Sequence, residues 1–135
     1  MLRASRAHLA DVGESYFEHM RFALLVGALA AGAGFACMLH ALVPGICQTT
    51  CSRALASLQR LFADRSQLSA VVTENSPLML FVVLTGVSCV TALALAICTA
   101  GTLIGLVVIP QAFALPLIFL SQNPGLEPAP APLEG

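Results

Sequence analysis

The chain has 135 residues, 58% of them hydrophobic and 10% charged, with a formal net charge of −1 and a mean hydropathy of +0.89. Soluble domains carry about 25% charged residues, so this composition excludes an ordinary soluble fold. The absence of any basic excess argues against nucleic acid as a partner, because neutralising phosphates takes a basic patch.

Residues 1–21 form a polar, mixed-charge lead-in. Asp11 is a reasonable helix N-cap, and Glu14 three positions later completes a capping-box pattern. Tyr16, Phe17 and Met20 give this segment an apolar side suited to a membrane interface, with Arg21 at the edge where its stem can snorkel. The acids Asp11, Glu14 and Glu18 before the apolar run argue against a secretory signal.

Residues 22–43 are uncharged apart from His40 and long enough to cross a hydrocarbon core of about 30 Å, which needs roughly 20 apolar residues. The run is crowded with small residues. Gly27, Gly32 and Gly34 predict close helix approach, through small-xxx-small pairs such as Gly27/Ala31 and Ala30/Gly34. Pro44-Gly45 ends the helix.

Residues 44–76 read as an amphipathic surface helix and a polar connection. Leu55, Leu58 and Leu61/Phe62 recur at helical spacing, opposite Arg53, Gln59 and Arg60. Residues 77–120 contain no charged residue and are about twice the length of one crossing, so they predict a transmembrane hairpin. Ser76 is the expected cap and Pro77 the first helical residue. The turn is expected near residues 99–102, Gly101 and Gly105 form a GxxxG packing face, and Pro110 and Pro116 kink the last pass. Residues 121–135, with Pro124, Pro128, Pro130 and Pro132, read as a proline-rich tail, extended or disordered.

Three passes would place Arg3, Arg6 and Arg21 on one side of the membrane and Arg53, Arg60 and Arg65 on the other, a tie that leaves orientation open. The cysteines read as small apolar packing groups. Cys47 and Cys51 share a face if 46–62 is one helix, which leaves a redox or metal role as the lesser alternative.

His40 is the one ionisable group within an apolar span, and such a residue raises a functional question. His19 lies 21 positions earlier, about 31 Å along a helix, so the two histidines cannot share one metal. Each could instead ligate its own tetrapyrrole, haem or bacteriochlorophyll. Glu18-His19 followed by an apolar span and His40 partly resembles bacterial light-harvesting β polypeptides, but aromatic residues near His40 are missing and the chain has no tryptophan. Glu14, Tyr16, Glu18, His19 and Arg21 come without a nucleophile or a phosphate-cradling loop, so they predict a charged contact surface, not a catalytic site.

The order and spacing of three stretches are more specific. The run from Val12 to Ala23 (VGESYFEHMRFA), the run from Leu39 to Gly45 (LHALVPG) and Thr49-Thr50-Cys51-Ser52-Arg53 resemble a family of small alphaproteobacterial membrane proteins of unknown function, DUF6356, over about residues 8–62. That resemblance implies a membrane protein and supplies no catalytic residue; a capsule-biosynthesis label on some members adds a biogenesis role as an alternative. An alphaproteobacterial ancestry is also compatible with a mitochondrial setting.

The expectation is therefore an all-α membrane protein of three transmembrane helices with interfacial amphipathic helices. Its expected role is that of a non-enzymatic accessory subunit of an inner-membrane energy-transducing complex, respiratory or photosynthetic, in a bacterial cytoplasmic or mitochondrial inner membrane. Membrane lipids and other integral subunits are its expected partners. No resident cofactor is expected beyond a bound lipid, with tetrapyrrole ligation by His40 and His19 as the alternative.

Overall fold

A computed structural model describes residues 2–100 and 102–128, with side chains from residue 7 onward. Among the described residues seven α-helices and one 3-10 turn follow in order: α1 (Leu2–Val12), α2 (Tyr16–Leu42), α3 (Thr50–Ala63), the 3-10 turn Arg65–Gln67, α4 (Leu68–Glu74), α5 (Ser76–Cys98), α6 (Leu103–Gln111) and α7 (Ala114–Gln122). No strand occurs among the described residues.

The start of α2 differs from the capping pattern expected at Asp11. Asp11 is inside α1, which ends where Gly13 turns at φ +68°, a conformation open to glycine at little cost. Ser15 is the true N-cap of α2. Its Oγ accepts from the Glu18 N–H, and the Ser15 N–H donates to Glu18 Oε2 at 2.9 Å, a complete capping box. Glu14 is thereby free to bond elsewhere.

The largest departure concerns α3. It lies lengthwise along α2, antiparallel to it, and not across its end. Cys51 lies beside Cys37, the Phe62 ring meets Phe22 with centroids 6.3 Å apart, and Arg65 reaches Glu14. From Cys37 back to Phe22 this contact follows ~22 Å of the α2 axis. The buried side of α3 is Ala54, Ser57, Leu58 and Leu61, while Leu55 and Phe62 are exposed. Small Ala54 and Ser57 let α3 come close to α2, so the buried stripe is rotated from the leucine pattern read in sequence.

What was expected as a polar connection folds into the 3-10 turn and α4. Asp64 Oδ1 accepts the Ser66 N–H at 2.9 Å and starts the turn. Asn75, not Ser76, occupies the N-cap position of α5, so Pro77 is the second helical residue and not the first, still within the turn where a missing N–H costs little. The Asn75 side chain is buried and donates to Ser57 Oγ at 3.0 Å and to the Val71 carbonyl at 2.9 Å, pinning α4–α5 to α3.

The last pass is two helices. Pro110 sits near the end of α6 and Pro116 in the first turn of α7, where its missing N–H costs least. The break falls between them, at Ala112-Phe113. The core runs through Phe22, Leu29, Ala33 and Ala36 of α2, Leu58 and Leu61 of α3, and Leu78 and Phe81 of α5, and it closes with Leu120 and Leu126.

Three helical stretches are long and apolar enough to cross a membrane: Tyr16–Leu42, Ser76–Cys98 and Leu103–Gln122. Most large apolar side chains of α5–α7 point outward, including Val87, Val90, Leu93, Leu103 and Leu106. A protein in water would bury such residues.

Candidate functional site

Two polar clusters occupy opposite ends of α2. At the N-terminal end, Glu14 bridges two elements: its Oε2 is 3.0 Å from His19 Nδ1, and its Oε1 accepts from the Arg65 guanidinium. The Arg65 guanidinium also lies over the Phe22 ring, 4.4 Å from its centroid. The His8 ring stands edge-on to His19 at 5.0 Å, which ties α1 to α2. Hydrogen bonds from Arg65 and then His19 hold the Glu14 carboxyl below the usual carboxylate range.

The placement of Arg65 corrects the even division of arginines. It sits with Arg21 at the N-terminal end of α2, so the two ends are not matched three against three.

At the C-terminal end, two Pro-Gly turns meet. Val43 and Ile46 close one around Pro44-Gly45, with Ile46 N–H donating to the Val43 carbonyl at 3.1 Å; Asn123 and Leu126 close the other around Pro124-Gly125 at 3.0 Å. Cys47 and Leu126 take the left-handed conformation, φ +53° and +47°, and both are buried. The Cys47 N–H donates to the Pro124 carbonyl at 2.7 Å. Thr50 Oγ1 donates to the Gly125 carbonyl at 2.8 Å, and Arg53 Nη2 donates to the carbonyls of Gly125 at 2.8 Å and Leu126 at 3.2 Å. The segment expected to be a loose tail is thus a clamped strap at residues 123–127; residues 129–135 lie outside the described ones.

The predicted residues divide between these clusters and the helix surfaces. His40 Nδ1 donates to the Ile46 carbonyl at 2.9 Å, which in the neutral ring leaves Nε2 as the unprotonated nitrogen. Tyr16, Glu18 and Arg21 are exposed at the N-terminal end. Gly27 and Gly34 have open space beside them, as an intermolecular contact would require. Gly32 does not: a Cβ there would meet Val82 Cγ2 at 2.8 Å, so its smallness serves the α2–α5 contact within the chain. At Gly105 likewise a Cβ would meet Thr99 Oγ1, just before α6, at 2.6 Å. Gly101 lies outside the described residues.

Cys47 is in the loop before α3, so it does not share a helix face with Cys51 as expected from an uninterrupted helix. Burial pushes its thiol pKa up, and the neighbouring Cys37 thiol followed by burial does the same for Cys51. All five cysteines are free thiols. Among the described residues no group of three or more His, Cys, Asp or Glu side chains is arranged to hold a metal ion. Thr50 and Arg53 of the strap clamp were not singled out from sequence, because their acceptors are backbone carbonyls more than 70 positions away.

Fold and surface together define an all-helical arrangement of the described residues with three stretches long and apolar enough to cross a membrane, and with polar groups at the ends of α2 and along α3. Residues 2–65 match the model of a family of unknown function, DUF6356. That match ends at α3 and its following turn, and the apolar helices α5–α7 lie beyond it. No curated protein and no solved structure matches the chain.

Proposed function

We propose that the protein is a non-catalytic packing subunit of a larger membrane complex, of the inner-membrane energy-transducing kind. The observation that carries this reading is the outer face of α3. Ser52, Gln59 and Arg60 are exposed there, and Arg60 pairs with Glu74 across to α4, with both side chains about half exposed. This polar stripe runs beside α2, whose length and hydropathy suit the bilayer interior. Exposed charge in hydrocarbon is expensive, so a polar protein surface is the natural cover for this side. Lipid suits the other side, where α5–α7 present uncharged and mostly apolar side chains.

Purification of a tagged chain in mild detergent, with mass spectrometry of what accompanies it, tests the reading. Stoichiometric recovery with other integral subunits supports it and names the complex. Recovery of the chain alone, with α3 accessible to water-soluble probes in intact membranes, overturns it and shifts weight to the family's biogenesis alternative. The arginine placement adds a sidedness: with Arg21 and Arg65 together, the start of α2 faces the cytoplasm or matrix.

A second reading is tetrapyrrole ligation by His40. Its support is the Nδ1 bond to Ile46, since metal-ligating histidines usually donate their other nitrogen to a carbonyl or carboxylate. His19 shares the feature through Glu14. Visible absorption of the purified chain that disappears in His40→Ala would support it; a colourless preparation from its native membrane would end it.

A further inference from the structure

The strap meets its clamp as a peptide meets a receptor. Three donors lie on one side within residues 47–53: the Cys47 N–H, Thr50 Oγ1 and Arg53 Nη2. Three consecutive carbonyls, of Pro124, Gly125 and Leu126, accept from them on the other. The strap's one deeply seated side chain is Leu126, only 2% exposed and packed in the main core. Recognition by main-chain hydrogen bonds plus one apolar pocket is a recurring mode of peptide binding.

The strap is also shaped before it docks. Its Pro-Gly turn is closed by the Leu126 N–H to the Asn123 carbonyl. The Asn123 side chain holds Glu127 from both sides, accepting its N–H at 3.2 Å and donating to its carbonyl at 3.4 Å. A segment ordered by its own bonds loses less freedom on seating.

The fit is nevertheless incomplete. Arg53 Nε is buried in the clamp without an acceptor. Buried donors without partners are uncommon and unfavourable in native proteins. A ligand that supplied the same carbonyls and one further acceptor would compete well against the strap.

We propose that residues 47–53 form a peptide-binding site that the chain's own segment 123–127 fills as an exchangeable strap. The competing ligand is a peptide of the same Pro-Gly-apolar turn carrying one additional acceptor for Arg53. The site lies within the family segment, whereas the strap lies outside it. The proposal does not depend on which complex the protein joins.

Amide exchange of the full chain in detergent micelles gives the first test. The Cys47 N–H, bonded only to the strap, should exchange at least about ten-fold faster than the amides of mid-α2, through opening of the strap alone. A labelled peptide of residues 121–128 gives the second. It should bind saturably to the full-length Leu126→Asp variant, whose strap cannot seat, and bind wild type far more weakly. Adding Arg53→Ala should weaken binding at least about ten-fold, since hydrogen bonds from charged donors are the stronger kind. Exchange of Cys47 at the rate of mid-α2 overturns the proposal, as does absence of peptide binding by a Leu126→Asp chain that keeps its helical signal. Should Leu126→Asp fail to fold, the exchange rate of the wild-type chain still decides.

Discussion

The segment 2–65 and the hairpin α5–α7 are both apolar, but they use that character in opposite directions. In the first, Leu29, Ala33, Ala36, Ala54, Leu58 and Leu61 turn inward and make α2 and α3 into a packed pair with polar groups along the outside and at the ends. In the second, Leu78, Phe81 and Leu120 join the core, with Met79, Val82 and Phe119 beside them, and many of the other large side chains, such as Val87, Val90, Leu93, Leu103 and Leu106, face out. Hydropathy alone does not separate these cases, since α2 and α5 are both long and apolar enough to cross a membrane. What separates them is the polar complement: α3 supplies a charged outer face, and the hairpin has no charged residue to place.

The sharpest way to break this comparison is to truncate one leucine on each side of it. Leu61 is 0% exposed between α3 and α2, whereas Leu106 is 76% exposed on α6. Leu61→Ala should destabilise the chain by about 2–5 kcal/mol, the range for buried leucine truncation. Leu106→Ala removes little protein contact and should leave the detergent-solubilised chain near wild-type stability. Denaturation followed by helical circular dichroism measures both; equal losses would mean that the hairpin is packed against protein rather than lipid.

Glycines sharpen the same point at the seam. Gly32→Leu drives a side chain into Leu78 and Val82, and overpacking of this kind costs about 1–3 kcal/mol. Gly34→Leu meets open space within the chain, so it should leave the isolated protein unchanged and act only on assembly. Thermal melting of the purified variants beside co-purification of partners separates the effects. If both variants melt alike, α2 and α5 are not joined through Gly32.

Much of this molecule was legible in the sequence, and the exceptions have physical causes. Long uncharged runs identify the spanning helices, because length and hydropathy are local properties. The proline break in the last pass was visible for the same reason. The course of α3 was not: its leucines and arginines describe an amphipathic helix equally well on a membrane surface or along a neighbour, and Ala54 and Ser57 say nothing of closeness until α2 is beside them. The N-cap was misplaced because Asp11 and Ser15 each stand three positions before a glutamate, and only the turn at Gly13 decides between them. The Glu14–Arg65 pair and the strap clamp join residues too far apart in sequence for any pattern to connect.

The N-terminal cluster provides the smallest and most specific test of the contrast, since only the family segment has a titratable seam. Arg65 and His19 hold Glu14 below its ordinary pKa of 4.5. A carboxyl depressed in the folded state adds stability that is fully present above its unfolded pKa and is lost as pH falls through the folded one. Glu14→Gln removes that contribution while leaving Glu18, Asp64 and Glu74 in place. Its melting temperature should therefore lie slightly below wild type at pH 7, and the gap should close as the pH drops below about 4.5. Added salt should narrow the gap at pH 7, because the cluster lies at an exposed edge. A gap that persists unchanged at pH 3 would assign the loss to geometry around residue 14 and not to the charge that joins α2 to the end of α3.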